Sequence, residues 1–531
     1  MWHDPASNMV IYETQDARIT HHISTAQAIN GRYVAMPATL QNLQIMRLFG
    51  YPVIRPLADY DFPRHRKAVP EPFSGQVETA NFLAVNPRAC DLSDMGAGKT
   101  LSALWASDAV FRDYAKRGER VRAIVAAPLS TMQDVWMNAI TTHFMGRRRA
   151  AILHGSEGDR LAALNQDVDW YIINHDGIKV GCKFIDAGPR RPPRIELSGF
   201  AAALQDRNDI RAAIIDEVGA FRDSTSNRSR AAKLILAGRD HLWLLTGTPT
   251  PTSPVDAFGI AKLLNNAKGK TLTGWRRETM FQLDRFKWKP KAGAHDEAMN
   301  LLSPYIRFPV DLKVSLSVQT RHAELSREQL KLMRELKREF ILEFQRDRVS
   351  AVNSAALRSK LIQICCGAVY DDKHNEHLID VAPRLSALRE IIDEAGKCLV
   401  FAPFTSAVNL LKSGLKNFST EIIIGDTPPK ERTRIMQAFQ MEDNPRVILA
   451  NAEPISRGQT LTAACVTVWW GPIDKSETYT QANRRTFRPG QTRNCTVVNL
   501  AGSDVEKEAY RRLKEQESMQ GLLLKLMEMG I

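Results

Sequence analysis

Ser93-Asp94-Met95-Gly96-Ala97-Gly98-Lys99-Thr100 follows a strand-like run and precedes a helical one, residues 101–110. Glycines in such a loop let backbone N–H groups approach phosphate oxygens closely. The start of the helix adds the positive end of its dipole. Lys99 would then reach the β- and γ-phosphates, and the Thr100 hydroxyl would hold Mg²⁺. Met95, Gly96, Ala97 and Gly98 supply the backbone that wraps the nucleotide, so ATP with Mg²⁺ is the expected ligand. The general pattern is GxxxxGK[ST], and Ser93 stands where its first glycine would be. A chance GKT in a surface loop is the competing reading. The strand–loop–helix setting counts against it.

A second element agrees with the first. Ile214-Ile215-Asp216-Glu217 is an apolar strand ending in two carboxylates. In a parallel sheet the C-terminal strand ends face the ligand crevice. Asp216 is placed to hold Mg²⁺, directly or through water, and Glu217 to orient and deprotonate an attacking water. Around these motifs two stretches repeat one plan of apolar run, loop and helical segment. The first, from about Ala89 to Leu264, has strand candidates at 123–127, 170–174, 213–216 and 242–246. The second, from about Lys397 to Asp504, has them at 398–402, 421–424, 447–450, 466–470 and 496–500. Continuous apolar strands alternating with helices imply α/β lobes whose parallel sheets are covered on both faces. The expected organisation is an accessory module at 1–65, a nucleotide-binding lobe at 66–267, a mostly helical insertion and connector at 268–385, and a second lobe with a C-terminal helix at 386–531. In the connector, Leu330, Met333, Leu336, Phe340 and Phe344 fall on one helical stripe.

Composition narrows the function classes. The 531 residues are 44% hydrophobic and 25% charged, which is enough apolar material for ordinary cores. The 72 basic and 59 acidic residues leave a net charge of +13. Such an excess favours a polyanionic partner, nucleic acid above all, although a merely basic surface would look the same. No run of 18 uncharged apolar residues is present, so no membrane contact is expected. The first residues lack the basic-then-apolar pattern of a signal peptide. Seven scattered cysteines without a CxxC pair argue against a disulfide framework or a zinc site and for a reducing compartment.

From about Phe73 to Leu500 these residues resemble the Swi/Snf-like branch of the superfamily-two helicases, which are double-stranded DNA translocases. The resemblance implies two RecA-like lobes. Phe73–Gln76 is similar to the glutamine motif, in which Gln76 would read adenine. Residues 93–100 resemble motif I. Residues 126–130, followed by Trp136, resemble motif Ia, which implies that Pro128 and Ser130 touch the DNA backbone. Asp216-Glu217-Val218-Gly219 resembles motif II. Residues 245–249 resemble motif III, which implies that Thr246, Gly247 and Thr248 couple nucleotide state to DNA contact. Residues 301–307 resemble the segment leading into the inter-lobe helices, and 456–462 resemble motif V, with Gly458 at the nucleotide. The sharpest match is Gln481-Ala482-Asn483-Arg484-Arg485-Thr486-Phe487-Arg488-Pro489-Gly490-Gln491, against the family's QAxxRxxRxGQ. It implies that Gln481 borders the nucleotide and that Arg485 and Arg488, on one side of a helical turn, act as arginine fingers.

Three positions depart from the family's pattern. Gly219 stands where His or Asp is usual, Ser456 replaces a leading glycine of motif V, and Ser93-Asp94 replaces Asp-Glu in motif I. The segment before motif I is similar to that of annealing-helicase-like fork remodellers and of compact phage or bacterial members. That implies the cytoplasm of a bacterial or phage-infected cell.

Further DNA contacts are expected at three basic clusters: residues 188–194 with Arg191, residues 285–291 with Lys287 and Trp288, and Arg147-Arg148-Arg149. Trp469-Trp470 and Cys365-Cys366 read as core. The resemblance implies a monomeric DNA-stimulated ATPase acting on duplex or branched DNA. An RNA or single-strand helicase of the same superfamily stands beside it, as does a degenerate motor serving as a nucleic-acid clamp. Lys99→Ala is expected to abolish ATP turnover. Arg488→Ala should spare ATP binding but stop hydrolysis, and full turnover in that variant would break the finger assignment.

Overall fold

The computed structural model describes residues 1–4, 7–62, 71–185, 194–251, 253–283, 288–310, 312–346, 351–370, 376–456 and 460–515. The chain divides into two compact units, Met1–Pro309 and Val310–Ile531.

Unit one begins with β1 (Trp2–Asp4), β2 (Met9–Glu13), β3 (Gln27–Ile29) and β4 (Tyr33–Pro37), an antiparallel sheet in the order β1-β2-β4-β3. Val10 and Tyr12 on β2, and Val34 and Met36 on β4, alternate inward with the two-residue period of a half-buried strand. The helix Leu40–Leu48 follows. These residues share one core with Leu83, Val85 and Trp243 of the larger sheet layer. The stretch expected as a separate accessory module therefore has its own sheet but not its own core. Tyr60 and Phe62 complete the join: the Tyr60 hydroxyl donates to Asp108 Oδ2 at 2.5 Å, and the Phe62 ring meets Trp105 edge-on at 4.9 Å.

The larger sheet holds β5 (Arg88–Asp91), β6 (Arg122–Ala127), β7 (Ala150–Leu153) and β8 (Trp170–Asn174). A hairpin of β9 (Cys182–Ile185) and β10 (Arg194–Leu197) stands apart from it. The chain continues with β11 (Ile210–Ile215), β12 (His241–Leu245), a second hairpin of β13 (Met280–Gln282) and β14 (Trp288–Pro290), and β15 (Tyr305–Ile306). Among the described residues this sheet runs β15-β5-β12-β11-β6-β8-β7, with every pairing parallel. The inner strands are buried on both faces, which is why they read as unbroken apolar runs.

Unit two holds β16 (Leu316–His322), a small hairpin of β17 (Ala368–Tyr370) and β18 (Glu376–Leu378), then β19 (Cys398–Phe401), β20 (Thr420–Ile423), β21 (Val447–Ala450), β22 (Val466–Trp469) and β23 (Cys495–Ala501). Its sheet runs β16-β23-β22-β19-β21-β20 and is parallel throughout. Both units are thus RecA-like parallel-sheet lobes. Arg384 and Glu506, each fully buried, pair at 2.7 Å and fasten the helix Ala382–Ala395 to the helix at 504–515. The Arg384 guanidinium also lies 4.9 Å from the Trp470 ring and donates to Leu500 O at 3.1 Å. Trp469, Trp470, Cys365 and Cys366 are core, as read from the sequence.

The stretch 268–385, expected as one helical insertion and connector, is shared between the units. β15 pairs with β5 in unit one, and β16 pairs with β23 in unit two. Neither strand carries a continuous apolar run. β15 is two residues long, and β16 is an edge strand reading Leu-Ser-Val-Gln-Thr-Arg-His with one face half-exposed. Of the predicted helical stripe, Met333 is buried while Leu330 is exposed, and the Phe340 and Phe344 side chains lie outside the described residues.

His241 ties the N-terminal helix to the sheet. Its Nε2 lies 3.1 Å from the Gln44 amide nitrogen, which also donates to Ala84 O. Burial pushes the imidazole pKa down from 6.5 to about 4. In that window the unfolded chain binds a proton that the folded chain refuses, so stability should fall as pH drops from 6.5 towards 4. The loss should be on the order of 3 kcal/mol. Urea unfolding at several pH values should show this slope in the wild type and a flatter one in His241→Gln.

Candidate nucleotide-binding site

The site starts from register. In the parallel sheet Asp91 lies opposite Leu245, and Ile215 lies opposite both Leu244 and Ala126. β5, β12, β11 and β6 therefore end at nearly one level. Ladder bonds carry on to the residues that follow: Thr246 N–H donates to Asp91 O at 3.0 Å, and Asp216 N–H to Ala126 O at 2.8 Å. Four loops leave the sheet side by side, beginning with Leu92, Thr246, Asp216 and Pro128.

The first loop is shaped for close backbone approach. Gly96 and Gly98 take φ of 90° and 80°, in the left-handed region that glycine enters at least cost. A Cβ on Gly98 would lie 1.9 Å from Gln76 Nε2. The 17-residue helix Lys99–Ala115 starts directly after, so its unpaired N–H groups and dipole point at the loop. Lys99 Nζ donates to Ser93 O at 2.7 Å and to Asp94 O at 3.0 Å. Asp91, fully buried at the end of β5, accepts from Ser93 N–H at 3.0 Å. Burial raises the Asp91 carboxyl pKa, and the nearby Lys99 ammonium opposes that rise.

Asp216 is held on both oxygens. Oδ2 accepts from Trp136 Nε1 at 2.9 Å, and Oδ1 from the backbone N–H of Glu217 at 3.0 Å. Trp136 is fully buried and sits in a π-helical turn, Met132–Met137, a widened turn common at functional sites. Glu217 has φ 46° and ψ 53°, a left-handed conformation that is costly for a non-glycine residue and persists only where its surroundings demand it. His175 Nε2 lies 2.8 Å from Asp216 O, and its ring meets Phe221 edge-on at 5.0 Å. An imidazole thus reaches the motif II turn from the end of β8, two strands over, although Gly219 itself has no side chain. Among the described residues no cluster of three or more His, Cys, Asp or Glu could enclose a metal. A carboxylate, a hydroxyl and phosphate oxygens are what Mg²⁺ takes, since it keeps much of its water. Asp216 and Thr100 fit that role.

Motif III lies against the loop. Thr246 and Thr248 are buried, and Gly247 is close enough to Met95 and Ser93 that a Cβ would lie 3.4 Å from both. Gly247, expected with its two neighbours to couple nucleotide state to DNA contact, meets the nucleotide loop. Pro128 is buried and accepts from Thr131 N–H at 2.9 Å, while Ser130 is half-buried. Gln76 is buried, with Oε1 accepting from Phe73 N–H at 2.9 Å and Nε2 3.4 Å from Gly98 O. Arg147, Arg148 and Arg149, expected on DNA, pair with Asp61, Asp108, Asp169 and Asp167. Arg191, Lys287 and Gly458 lie outside the described residues.

In unit two the helix Ser476–Asn483 stops before the two arginines. Arg485 and Arg488 occupy the turns after it, not one helical face. Pro489 disfavours a helical Arg488, and Gly490 has φ 95°. Gln491 fastens this segment: its Nε2 lies within 3.2 Å of Thr462 O, Ala464 O and Thr486 O. Arg488 is half-buried, burial lowers its pKa, and its guanidinium has no partner among the described residues. Gln481 is buried and directs Nε2 to Glu477 Oε1 at 3.3 Å.

Residues 84–366 match the SNF2-related domain, and residues 383–490 match the helicase conserved C-terminal domain. The chain belongs to the SNF2-related family. An uncharacterized ATP-dependent helicase of Mycoplasma pneumoniae is 23% identical over 90% of this chain and 45% of its own length. One from Mycoplasma genitalium is 26% identical over 57% of this chain and 30% of its own. This SNF2-related chain therefore spans less than half the length of those two relatives. Putative protein p41 of Acyrthosiphon pisum secondary endosymbiont phage 1 is 22% identical over 82% of this chain and 94% of its own. The Sulfolobus solfataricus SWI2/SNF2 ATPase core in complex with dsDNA aligns over 83% of this chain and 89% of that one, at 20% identity and a TM-score of 0.39. No helix among the described residues is long and apolar enough to cross a membrane.

Several residues of this SNF2-related site escape a reading of the sequence: Asp91, His175, and Trp136 as a partner of Asp216. Trp136 and His175 reach Asp216 from distant stretches of chain, so no local spacing reveals those contacts, while Asp91 meets Ser93 two residues on. Trp136→Phe keeps most of the bulk but removes the donor to Asp216 Oδ2. It should raise the Mg²⁺ needed for half-maximal hydrolysis about tenfold, with Mg²⁺-free nucleotide binding little changed. A Mg²⁺ titration of ATPase rate reads this directly, and an unshifted midpoint would mean that the indole does not orient Asp216.

Proposed function

We propose that the chain is an ATP-driven motor that hydrolyses ATP at the unit-one sheet edge and moves on duplex or branched DNA. The observation that supports this reading is the shared strand level, from which the loops that carry Lys99, Asp216 and Glu217 leave side by side. Lys99 rests on two loop carbonyls and can exchange them for phosphate oxygens, a stronger charge-assisted contact. Asp216 and Thr100 would hold Mg²⁺, which when bound neutralises charge on the β- and γ-phosphates. Glu217 is set on a rigid turn from which it can orient water and accept its proton. Arg488, whose guanidinium has no partner among the described residues, is suited to an anion, and Arg485 lies three residues away on the same stapled segment. Both are the arginine fingers of this proposal.

The DNA track is supported by charge. The net charge is +13. In unit two a cavity of 940 Å³ opens where β19, β20, β21 and β22 end, lined by Arg358, Arg432, Lys475 and Arg512. Arg358 and Lys475 rest on Asp474 and Glu453, and such exposed pairs are weak enough to be exchanged for DNA phosphates. In unit one the β13–β14 hairpin exposes Phe281 and Leu283, and Arg276 lies 5.7 Å from the Trp288 ring. Cations interleaved with aromatics suit a nucleic-acid strand. The motor acts as a monomer in the cytoplasm of a bacterial or phage-infected cell.

Phosphate release should be measured with duplex DNA, single strands and RNA, for the wild type and Glu217→Gln. Duplex DNA is expected to stimulate most, and Glu217→Gln should lower kcat about 10²–10⁴-fold. Stimulation by RNA alone would replace DNA as the track. A wild type no faster than Glu217→Gln would leave only a nucleic-acid clamp.

A further inference from the structure

The segment that ends unit one also grips the nucleotide loop. β15 lies parallel to β5, with Tyr305 opposite Cys90 and Ile306 opposite Asp91. The pairing continues beyond the strands: Leu92 N–H donates to Ile306 O at 2.8 Å, and Asp94 N–H to Phe308 O at 3.0 Å. In the other direction Phe308 N–H donates to Ser93 Oγ at 3.0 Å, and Arg307 reaches Asp94 Oδ1 at 3.2 Å. On its far side the Phe308 ring packs on Gly75, next to Gln76, so closely that a Cβ there would lie 3.1 Å from it. Unit one ends at the following residue, Pro309.

Ser93 and Asp94 are therefore held from two sides. Lys99 takes their carbonyls, and residues 307–308 take the Ser93 hydroxyl, the Asp94 amide and the Asp94 carboxylate. The Ser93 departure from the family's acid has a structural use here, because its hydroxyl accepts the Phe308 amide. The Arg307 side chain is only 7% exposed, and a guanidinium so buried is costly unless it is tied to an anion. The pair is thus more than an exposed surface contact.

We propose that residues 305–308 form a strap that couples nucleotide occupancy of the loop to the chain leaving unit one, with Arg307 as its positioning residue. This rests on the nucleotide-binding reading above. When Lys99 leaves the Ser93 and Asp94 carbonyls for phosphate, those two residues lose their front anchor. Any shift in them passes to Arg307 and Phe308 and so to Pro309.

The test uses the full chain without DNA and a fluorescent ATP analogue, in the wild type, Asp94→Asn, Arg307→Lys and the double variant. Asp94→Asn is nearly isosteric at a partly exposed site, so it keeps the test open should Arg307→Lys fold poorly. Thermal unfolding of the nucleotide-free proteins checks this. Each single change is expected to weaken analogue binding and raise the ATP KM about fivefold, with kcat nearly unchanged, and the double variant should be no worse than either single. In the wild type the analogue should change the rate of tryptic cleavage after Lys313, an exposed residue just past the junction, and saturating analogue should fail to do so in Arg307→Lys. Unchanged single variants, additive losses in the double, or nucleotide-independent cleavage of the wild type would each overturn the strap while leaving the motor reading intact. A wild type that binds no analogue would instead overturn the nucleotide site itself, and the strap with it.

Discussion

Parallel pairing of β5, β12, β11 and β6 is the constraint on which the rest of unit one depends. Because these strands run the same way and end at nearly one level, the loops after them emerge together. Residues from 91 to 248 are thereby collected at one end of the sheet without any long-range contact having to be designed for each. Register is secured by burial on both faces. A slip of one residue would turn every inward side chain to the opposite layer.

Around that edge, backbone groups do much of the positioning. The Glu217 amide, the Asp216 carbonyl and the amides of Ser93, Asp94 and Phe308 all have partners within the site. A buried polar group left without one costs as much as a lost hydrogen bond or more, so such a lattice resists distortion as a whole. This explains how Glu217 can be kept in a left-handed conformation. The same lattice also holds the loop in place where Ser93 stands instead of the pattern's glycine or acid.

Unit two solves its own version of the problem with side chains. Gln491 Nε2 lies within reach of three carbonyls, which its two N–H hydrogens share, and its Oε1 accepts from the backbone N–H groups of Thr492 and Arg493. That is the whole capacity of the residue, and it fixes the turn that carries Arg485 and Arg488. Arg384 and Glu506 do the same for the outer helices. Their burial makes removal of either partner far more damaging than the pair's net contribution would suggest.

Much of the fold was legible as unbroken apolar runs: 170–174 and 447–450 match β8 and β21 to the residue. β15 and β16 were not, because the first is two residues long and the second is polar on one face, so neither carries such a run. At the site, Lys99, Asp216, Glu217 and the QAxxRxxRxGQ string were legible because the spacing of residue types within a few positions is a local property of the chain. The clustering of Arg147–Arg149 was visible too, but not that acids on other elements already hold it. Sequence alone therefore determined the α/β class and the two-lobe plan, and it nominated the residues proposed to carry reactive or phosphate-binding chemistry. Tertiary structure decided that motif III lies against the nucleotide loop, that Trp136 holds Asp216 from 80 residues away, and that Arg307 holds Asp94 from 213 away. Such partners are set by which strands lie side by side, and no pattern along the chain records that.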